Sequence, residues 1–511
     1  MSANIIDIFL RNATKQPDAI AIVDDDNRTT YGELANDVQR AAGYLVSSGV
    51  ERGDHVLVFV PMSTQLYTLL LALFHIGATA VFIDAWADRN RLARACRAIE
   101  LKAFVGVPKA HLLRFVSKEI RRIPIKLIAS VDGWRSTRSL SPETVAADHP
   151  ALITFTTGSS GAPKGAIRTH GFLVAQHRAL VASFETSRGD VDLPVLPIFA
   201  LNNLAAGATT VIPSLDPRRV DEFDPAAIVA QMHGEGVSTT TGSPSFYWRL
   251  ADHCVSQRVS IPSLRRIFLG GASVGPALAR QLVAAFPQAA VTIVYGSTEA
   301  EPISMIDARV MLERLSMGGV GLPVGRPIRS IDVLILPIID APITASSKEE
   351  LLSIALASNE HGEICVAGDH VLAAYHGDEQ VWLRTKVRAG GRVWHRTGDA
   401  GYLDAHGELW LMGSVRQSFE HNGNRVFVLP IELMLATIDG VAAGTIMQID
   451  KRIAIVVEAT NAASHSDIEK RVRQSLDMVD IDDVHILEKI PRDPRHRSKI
   501  NYEVLREMLV R

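Results

Sequence analysis

The residues best suited to chemistry stand in TFTTGSSGAPKGAIRTH, residues 154–170, where an apolar run, ALITF, opens into a loop of Thr, Ser and Gly. Glycines let a backbone turn tightly and come close to an anion. The hydroxyls of Thr156, Thr157, Ser159 and Ser160, with nearby backbone N–H groups, would donate to phosphate oxygens, and Lys164 would add a point charge. The loop is not a Walker A motif, which needs Gly-Lys-Ser/Thr after four spacer residues; here Pro163 precedes the lysine and Gly165 follows it. The bland alternative is a surface turn, but a Ser/Gly loop entered from a buried strand and closed by Pro-Lys-Gly is rarely idle.

Three further segments carry candidate groups. VYGSTEA (294–300) follows an apolar run, VTIV, and offers an aromatic face at Tyr295 and a hard oxygen ligand at Glu299. RTGDAGYLDAHGELWLMG (396–413) presents Asp399, a carboxylate able to accept both protons of a diol. IPRDPRHRSKINYEVLR (490–506) presents Lys499. Taken singly, YGSTE reads as a strand end with a helix cap, Asp399 as a turn residue and Lys499 as a solvated charge. LGGASVG (269–275) does not satisfy G-x-G-x-x-G, so a dinucleotide-binding reading fails on spacing.

In this order the segments resemble the signatures of the adenylate-forming superfamily, which includes acyl-CoA ligases, luciferases and peptide-synthetase adenylation domains. The resemblance covers nearly the whole chain, since TTYGELA (29–35) and GDHVLVFVPMSTQLY (53–67) are similar to the family's opening segments. It implies ATP and Mg²⁺ as cofactors and a small carboxylic acid as substrate, activated as its acyl-adenylate. It also implies roles: Gly271 and Ala272 in the adenine wall, Tyr295 and Gly296 against the base, Thr298 at the α-phosphate, Glu299 at Mg²⁺ and Asp399 at the ribose. Lys499 takes the place of the catalytic lysine, stabilising charge as pyrophosphate leaves. Lys164 and Thr298 join it as catalytic candidates.

Departures from the family narrow the reading. After Gly413 the family carries an arginine that contacts ribose; here Ser414 stands there, with Arg416 two residues on as its substitute. A lysine common in thioester-forming members matches Glu420, Arg-Ser replaces Ser-Gly before Lys499, and no histidine follows Phe199 in LPIFALNN. Together these argue against a standard acyl-CoA ligase and resemble the olefin-pathway β-lactone synthetases, which adenylate a β-hydroxy acid whose own hydroxyl then attacks the activated carbonyl. A nucleophile already held beside the carbonyl needs no CoA site. An acyl-CoA or acyl-carrier ligase and a non-catalytic adenylate-binding protein stay as alternatives.

Elements must position these groups. Apolar runs at 55–61, 78–84, 209–213, 237–241, 266–271 and 291–296 alternate with helical stretches such as Thr64 to His75, the pattern of βαβ units and largely parallel sheets. Ligands then gather beyond the carboxyl ends of the strands. From about residue 320, SIDVLILPI, HGEICVAG, RVWHRTGD and GELWLMG read as short strands of a β-rich subdomain, with a surface excursion at 340–362. The last hundred or so residues read as a separate unit, with strands VFVLP and RIAIVVEAT and a helix SDIEKRVRQSLDMV. The expected fold is α/β: an N-terminal adenylate-forming domain, 1–413, of two mostly parallel α/β subdomains plus a β-rich one, then a small mobile α+β domain, 414–511.

Composition agrees. The chain has 511 residues, 47% apolar and 21% charged, the profile of a globular protein of more than one domain. A formal charge of −3 points to neither nucleic acid nor anionic lipid as partner. Three scattered cysteines, Cys96, Cys254 and Cys365, fit a reducing cytoplasm, and the first residues show no secretory h-region. Leu66 to Ile83 is apolar enough to span a bilayer, but His75 and Gly77-Ala78 divide it into a helix and a buried strand, so no integral membrane segment is expected. The β-lactone resemblance implies a lipid-like acid and association with other enzymes of a hydrocarbon or natural-product pathway.

Overall fold

Helices and strands alternate through the first three hundred residues because apolar runs of strand length are punctuated by capping residues and glycine. Thr30 and Glu33 form a reciprocal capping box that starts the helix Tyr31–Ser47. Ser63 caps the helix Thr64–His75, and Gly77, at φ +68°, turns the chain into the strand Thr79–Ile83. The apolar stretch 66–83 is therefore a helix, a turn and a strand. No helix among the described residues is long and apolar enough to cross a membrane. The computed structural model describes residues 3–83, 89–130, 133–134, 140–157, 163–216, 222–377, 379–460, 464–476, 480–492 and 499–510.

Two large sheets dominate. In the smaller, of seven strands, Pro150–Thr157, Thr79–Ile83, His55–Phe59, Ala103–Gly106 and Ile125–Ile128 run parallel in that spatial order. Pro163–Thr169 returns antiparallel beside Pro150–Thr157, and the short strand Tyr375–His376 pairs outside it. In the larger, Thr239–Gly242, Arg266–Gly270 and Ala290–Ser297 are parallel neighbours. The expected β-rich subdomain is not a detached sheet. Its strands continue the same fourteen-stranded sheet through the antiparallel pairs Ala290–Ser297/Ala300–Asp307, Ala300–Asp307/Leu322–Pro327 and Leu322–Pro327/Leu409–Ser414.

The last hundred residues build a three-stranded sheet, Val441–Ile449, Arg452–Ala459 and Asp483–Leu487, with its own core of Ile446, Ile455, Val457, Ile468 and Leu435. VFVLP, expected as a strand, instead enters the helix Val428–Leu435. Phe427 is extended as its N-cap, and Pro430 falls in the first turn, where its missing N–H costs nothing. That helix faces two ways: Leu429 packs into the core of the large sheet, while Val428, Ile431 and Leu435 pack into the C-terminal core. The helix expected over SDIEKRVRQSLDMV is found at His465–Ser475; its last residues, 477–479, lie outside the described ones.

The strand carrying Asp399, Arg392–Leu403, is anchored by a buried ion pair. Arg396 meets Glu363 at 2.6 Å and also donates to the carbonyls of Ile339 and Ala341. Removing one partner of such a pair strands a charge in the interior. Arg396→Met should therefore cost about 3–5 kcal/mol of unfolding free energy in chemical denaturation, far more than an exposed arginine would; a loss near zero would show that the pair does not hold the strand.

Candidate active site

The two groups of signature loops converge because both sheets end where the loops begin. The strand Ala290–Ser297 carries Tyr295 and Gly296 at its carboxyl end, and the turn to Ala300–Asp307 carries Thr298 and Glu299. Its neighbour Arg266–Gly270 ends in Gly270, where an added Cβ would meet the Val294 carbonyl at 2.5 Å, and in Gly271, at φ +81°. Only glycine accommodates that approach and that turn.

A cleft of about 1250 Å³ opens at this end of the large sheet. Its walls include Gly271, Ala272, Tyr295, Gly296, Asp399 and Lys499, six of the residues singled out from sequence. The volume exceeds that of a typical small-ligand pocket and leaves room for a nucleotide with an acid beside it. The Tyr295 hydroxyl donates to Asp399 at 2.9 Å. Burial pushes the Asp399 carboxyl up to about 6, while the Tyr295 hydrogen bond and the charge of Lys499 pull it back. Lys499 is exposed, on a segment closed at its base by the bridge between Arg492 and Ile500 and by the Asn501 N–H on the Pro491 carbonyl at 2.9 Å. The C-terminal lysine and the half-buried aspartate, a hundred residues apart in sequence, thus line one cleft.

The phosphate-loop candidates lie at the edge of the smaller sheet. Register pairs Thr156 with Lys164 and Thr157 with Pro163, so the loop between them springs from the end of a hairpin. Ser159 and Ser160 lie outside the described residues. Lys164 holds its ammonium 6.0 Å from the centre of the Tyr375 ring. Tyr375 in turn donates to Glu299 at 2.9 Å, and the Leu372 N–H donates to the Glu299 carbonyl at 2.7 Å. The buried Lys386 donates to the Leu372 carbonyl and lies 5.2 Å from the other contact of the cluster, the Tyr375 ring. Burial brings the Lys386 ammonium down to about 7. Burial also opposes ionisation of Glu299, but His395, the Tyr375 hydroxyl and Lys386 together hold its carboxyl below the usual range.

Arg168 joins the two loop groups. It is buried, donates to Thr154 at 2.9 Å and reaches the Thr298 carbonyl at 3.3 Å. Arg168, Tyr375 and Lys386 were not singled out from sequence. Arg168 lay inside the loop motif and could have been found as a charge two residues before the histidine that closes it; Tyr375 and Lys386 gave no local signal. Arg416 is exposed beyond the strand Leu409–Ser414, whereas Ser414 and Gln417 line the cleft. The Ser414 hydroxyl donates to the Gly398 carbonyl at 3.4 Å, beside Asp399. Glu420 pairs with Arg425 at 2.8 Å across the hairpin Phe419–His421/Asn424–Val426.

Known proteins place this arrangement. The family model described as AMP-binding enzyme matches residues 9–376. An olefin β-lactone synthetase of Stenotrophomonas maltophilia is 33% identical over 436 residues, covering 81% of this chain and 77% of that protein. The olefin β-lactone synthetase of Xanthomonas campestris is 33% identical over 444 residues, covering 80% and 78%. Among solved structures, an amide bond synthetase from Marinactinospora thermotolerans superposes with a TM-score of 0.81 at 22% identity over 99% of both chains. An O-succinylbenzoate coenzyme A synthetase from Bacillus subtilis, in complex with AMP, gives 0.79 at 20% identity over 98% of this chain and 97% of that one.

The half-buried Asp399 carboxylate gives a pH signature. In the folded chain Asp399 holds its proton to about pH 6, against an ordinary value of 3.8. Between those values the unfolded chain has lost the proton and the native chain keeps it, so native stability falls as pH rises. Asp399→Asn removes that loss. Denaturant unfolding should show the variant gaining up to about 3 kcal/mol on the wild type between about pH 4 and about pH 7; a pH-independent difference would mean that Asp399 is ionised throughout.

Proposed function

Since the chain belongs to the AMP-binding enzyme family of ATP-dependent, AMP-forming enzymes, we propose that it activates a β-hydroxy fatty acid and completes the reaction within the substrate, giving a β-lactone. The observation that carries the second half is position 420. Where thioester-forming members have a lysine, Glu420 stands here, and Arg425 occupies its carboxylate at 2.8 Å. The 33% identity to two olefin β-lactone synthetases supports the same reading.

The chemistry follows from the cleft. ATP lies with its adenine between Tyr295 and the Gly271–Ala272 backbone, and its ribose hydroxyls donate to Asp399. The phosphates extend toward Thr298, Lys164 and the hydroxyls of Thr156, Thr157, Ser159 and Ser160. Glu299 fits a magnesium ion, which takes one or two carboxylates alongside phosphate oxygens and neutralises phosphate charge when bound. A carboxylate oxygen of the acid attacks the α-phosphorus, and the bond to pyrophosphate breaks. Lys499, beside Asp399, stabilises the charge that builds on the phosphoryl oxygens as this happens. The β-hydroxyl oxygen then attacks the acyl carbonyl carbon, its proton is lost to solvent, and the carbon–oxygen bond to AMP breaks as the four-membered ring closes. Holding the nucleophile on the substrate itself supplies the proximity that a second substrate would otherwise have to provide.

The chain divides, in this reading, into a nucleotide-binding part, 1–413, and a part that brings Lys499, 414–511. Separate cores in the large and C-terminal sheets support the division. The substrate is a lipid-like acid drawn from the cytoplasm, and Arg416 or Ser414 stands in for the missing ribose arginine.

Two measurements test the proposal. With ATP, Mg²⁺ and a long-chain β-hydroxy acid, NMR should find a β-lactone and AMP without added CoA; AMP release that depends on CoA or a carrier protein would favour a thioester ligase. Lys499→Ala should lower acid-dependent pyrophosphate exchange by about 10²–10³-fold while leaving AMP affinity nearly unchanged. Undiminished exchange would remove Lys499 from the mechanism.

A further inference from the structure

A formal charge of −3 conceals an uneven distribution. Residues 89–128 contain eleven Lys or Arg against two acids, Glu100 and Glu119, a local charge of +9. One of the two acids is already engaged, since Arg97 meets Glu119 at 3.4 Å. The segment folds as the helix Arg89–Ala98, the strand Ala103–Gly106, the short helices Pro108–Leu112, Leu113–Val116 and Lys118–Arg122, and the strand Ile125–Ile128 at the edge of the seven-stranded sheet. On the first helix Leu92 and Ala95 face the core, and its arginines are exposed.

The same segment shows large apolar side chains to water. Phe115 is 74% exposed, Leu112 64%, Val116 53% and Ile128 52%. The His111 ring bonds the Leu127 carbonyl at 3.0 Å, tying the turn before Leu112 to the edge strand just before Ile128. The four apolar side chains therefore gather at one end of that strand, flanked by the exposed Lys109, Lys118, Arg121 and Arg122. Single exposed apolar residues need no explanation, but a group of them ringed by cations marks an interaction surface.

We propose that this edge of the smaller sheet docks the enzyme on an anionic phospholipid surface. The apolar side chains enter the headgroup boundary, and the surrounding lysines and arginines face lipid phosphates. Charge complementarity selects the occupant's sign, and the apolar centre selects its nature: a nucleic-acid backbone would satisfy the cations and leave Leu112, Val116 and Ile128 in water. The position is apt. Ile125–Ile128 runs parallel to Pro150–Thr157, so the patch lies at the same carboxyl end of the sheet as Thr157, four strands or about 19 Å away. Binding does not depend on the lactone step, so its test is independent of that reading.

Flotation of the full chain with vesicles of phosphatidylcholine alone, or with added phosphatidylglycerol, provides the test. Binding is expected to the anionic vesicles only and should weaken with salt. Two double variants, Leu112→Ser with Phe115→Ser and Arg121→Glu with Arg122→Glu, should each lower it at least about tenfold, with melting temperature and pyrophosphate exchange on a short soluble acid unchanged. The proposal is overturned by absent binding, by equal binding to neutral vesicles, by variants that bind like the wild type, by displacement from vesicles by an oligonucleotide, or by a self-association that the Phe115 variant abolishes in sedimentation velocity.

Discussion

The hydrogen bond from Tyr295 to Asp399 fixes the frame of the active site. It spans 2.9 Å between a parallel strand of the large sheet and an antiparallel strand four pairings away in the same sheet, with three strands between them. A half-buried carboxylate on the cleft wall gains from a donor, and Tyr295 supplies it. The consequence is geometric. Tyr295, Asp399 and the turn carrying Thr298 and Glu299 are set relative to one another by two strands rather than by loops alone. Arg396 and Glu363 anchor the second strand three residues before Asp399, so the carboxylate's position is set on both sides.

The phosphate end is organised on a different basis. There the charges are mutually compensating: Lys164 and Lys386 approach the ring of Tyr375, whose hydroxyl serves Glu299, while Arg168 ties the loop hairpin to the Thr298 carbonyl. Before nucleotide binds, this end already holds opposite charges close together at low solvation, where interactions are strong and reorganisation is small. The base end is rigid through hydrogen bonding, and the phosphate end through charge.

Local signals carried much of this. The helix Thr64–His75 was legible residue for residue, because a serine cap and a glycine turn bracket it. The parallel strands were legible as apolar runs between helices, and Asp399, Tyr295 and Lys499 as members of ordered motifs that meet in one cleft. What escaped was non-local. The pairing of Ser304 and Met305 with Pro327 and Arg326, which welds the β-rich strands onto the parallel sheet, has no mark in either segment. Tyr375 joins the site through a two-residue strand too short for any periodicity. VFVLP has the composition of a strand, and tertiary packing of its leucine and valine on two cores makes it a helix. Whole-chain charge averaged away the cationic edge of the smaller sheet.

That two-faced helix sets an energy scale for motion. Leu429 is 7% exposed, seated in the core of the large sheet beside Gly413, while its helix is otherwise committed to the C-terminal core. Any rotation that carries Lys499 away from Asp399 by moving the C-terminal sheet with its helix must lift that leucine from its seat. Exposing one leucine costs roughly 1.5–3 kcal/mol, several times thermal energy yet far below the cost of unfolding either core. Leu429 therefore sets the cost of that rotation: Lys499 leaves Asp399 by this route only when the leucine leaves its seat, and neither core has to melt.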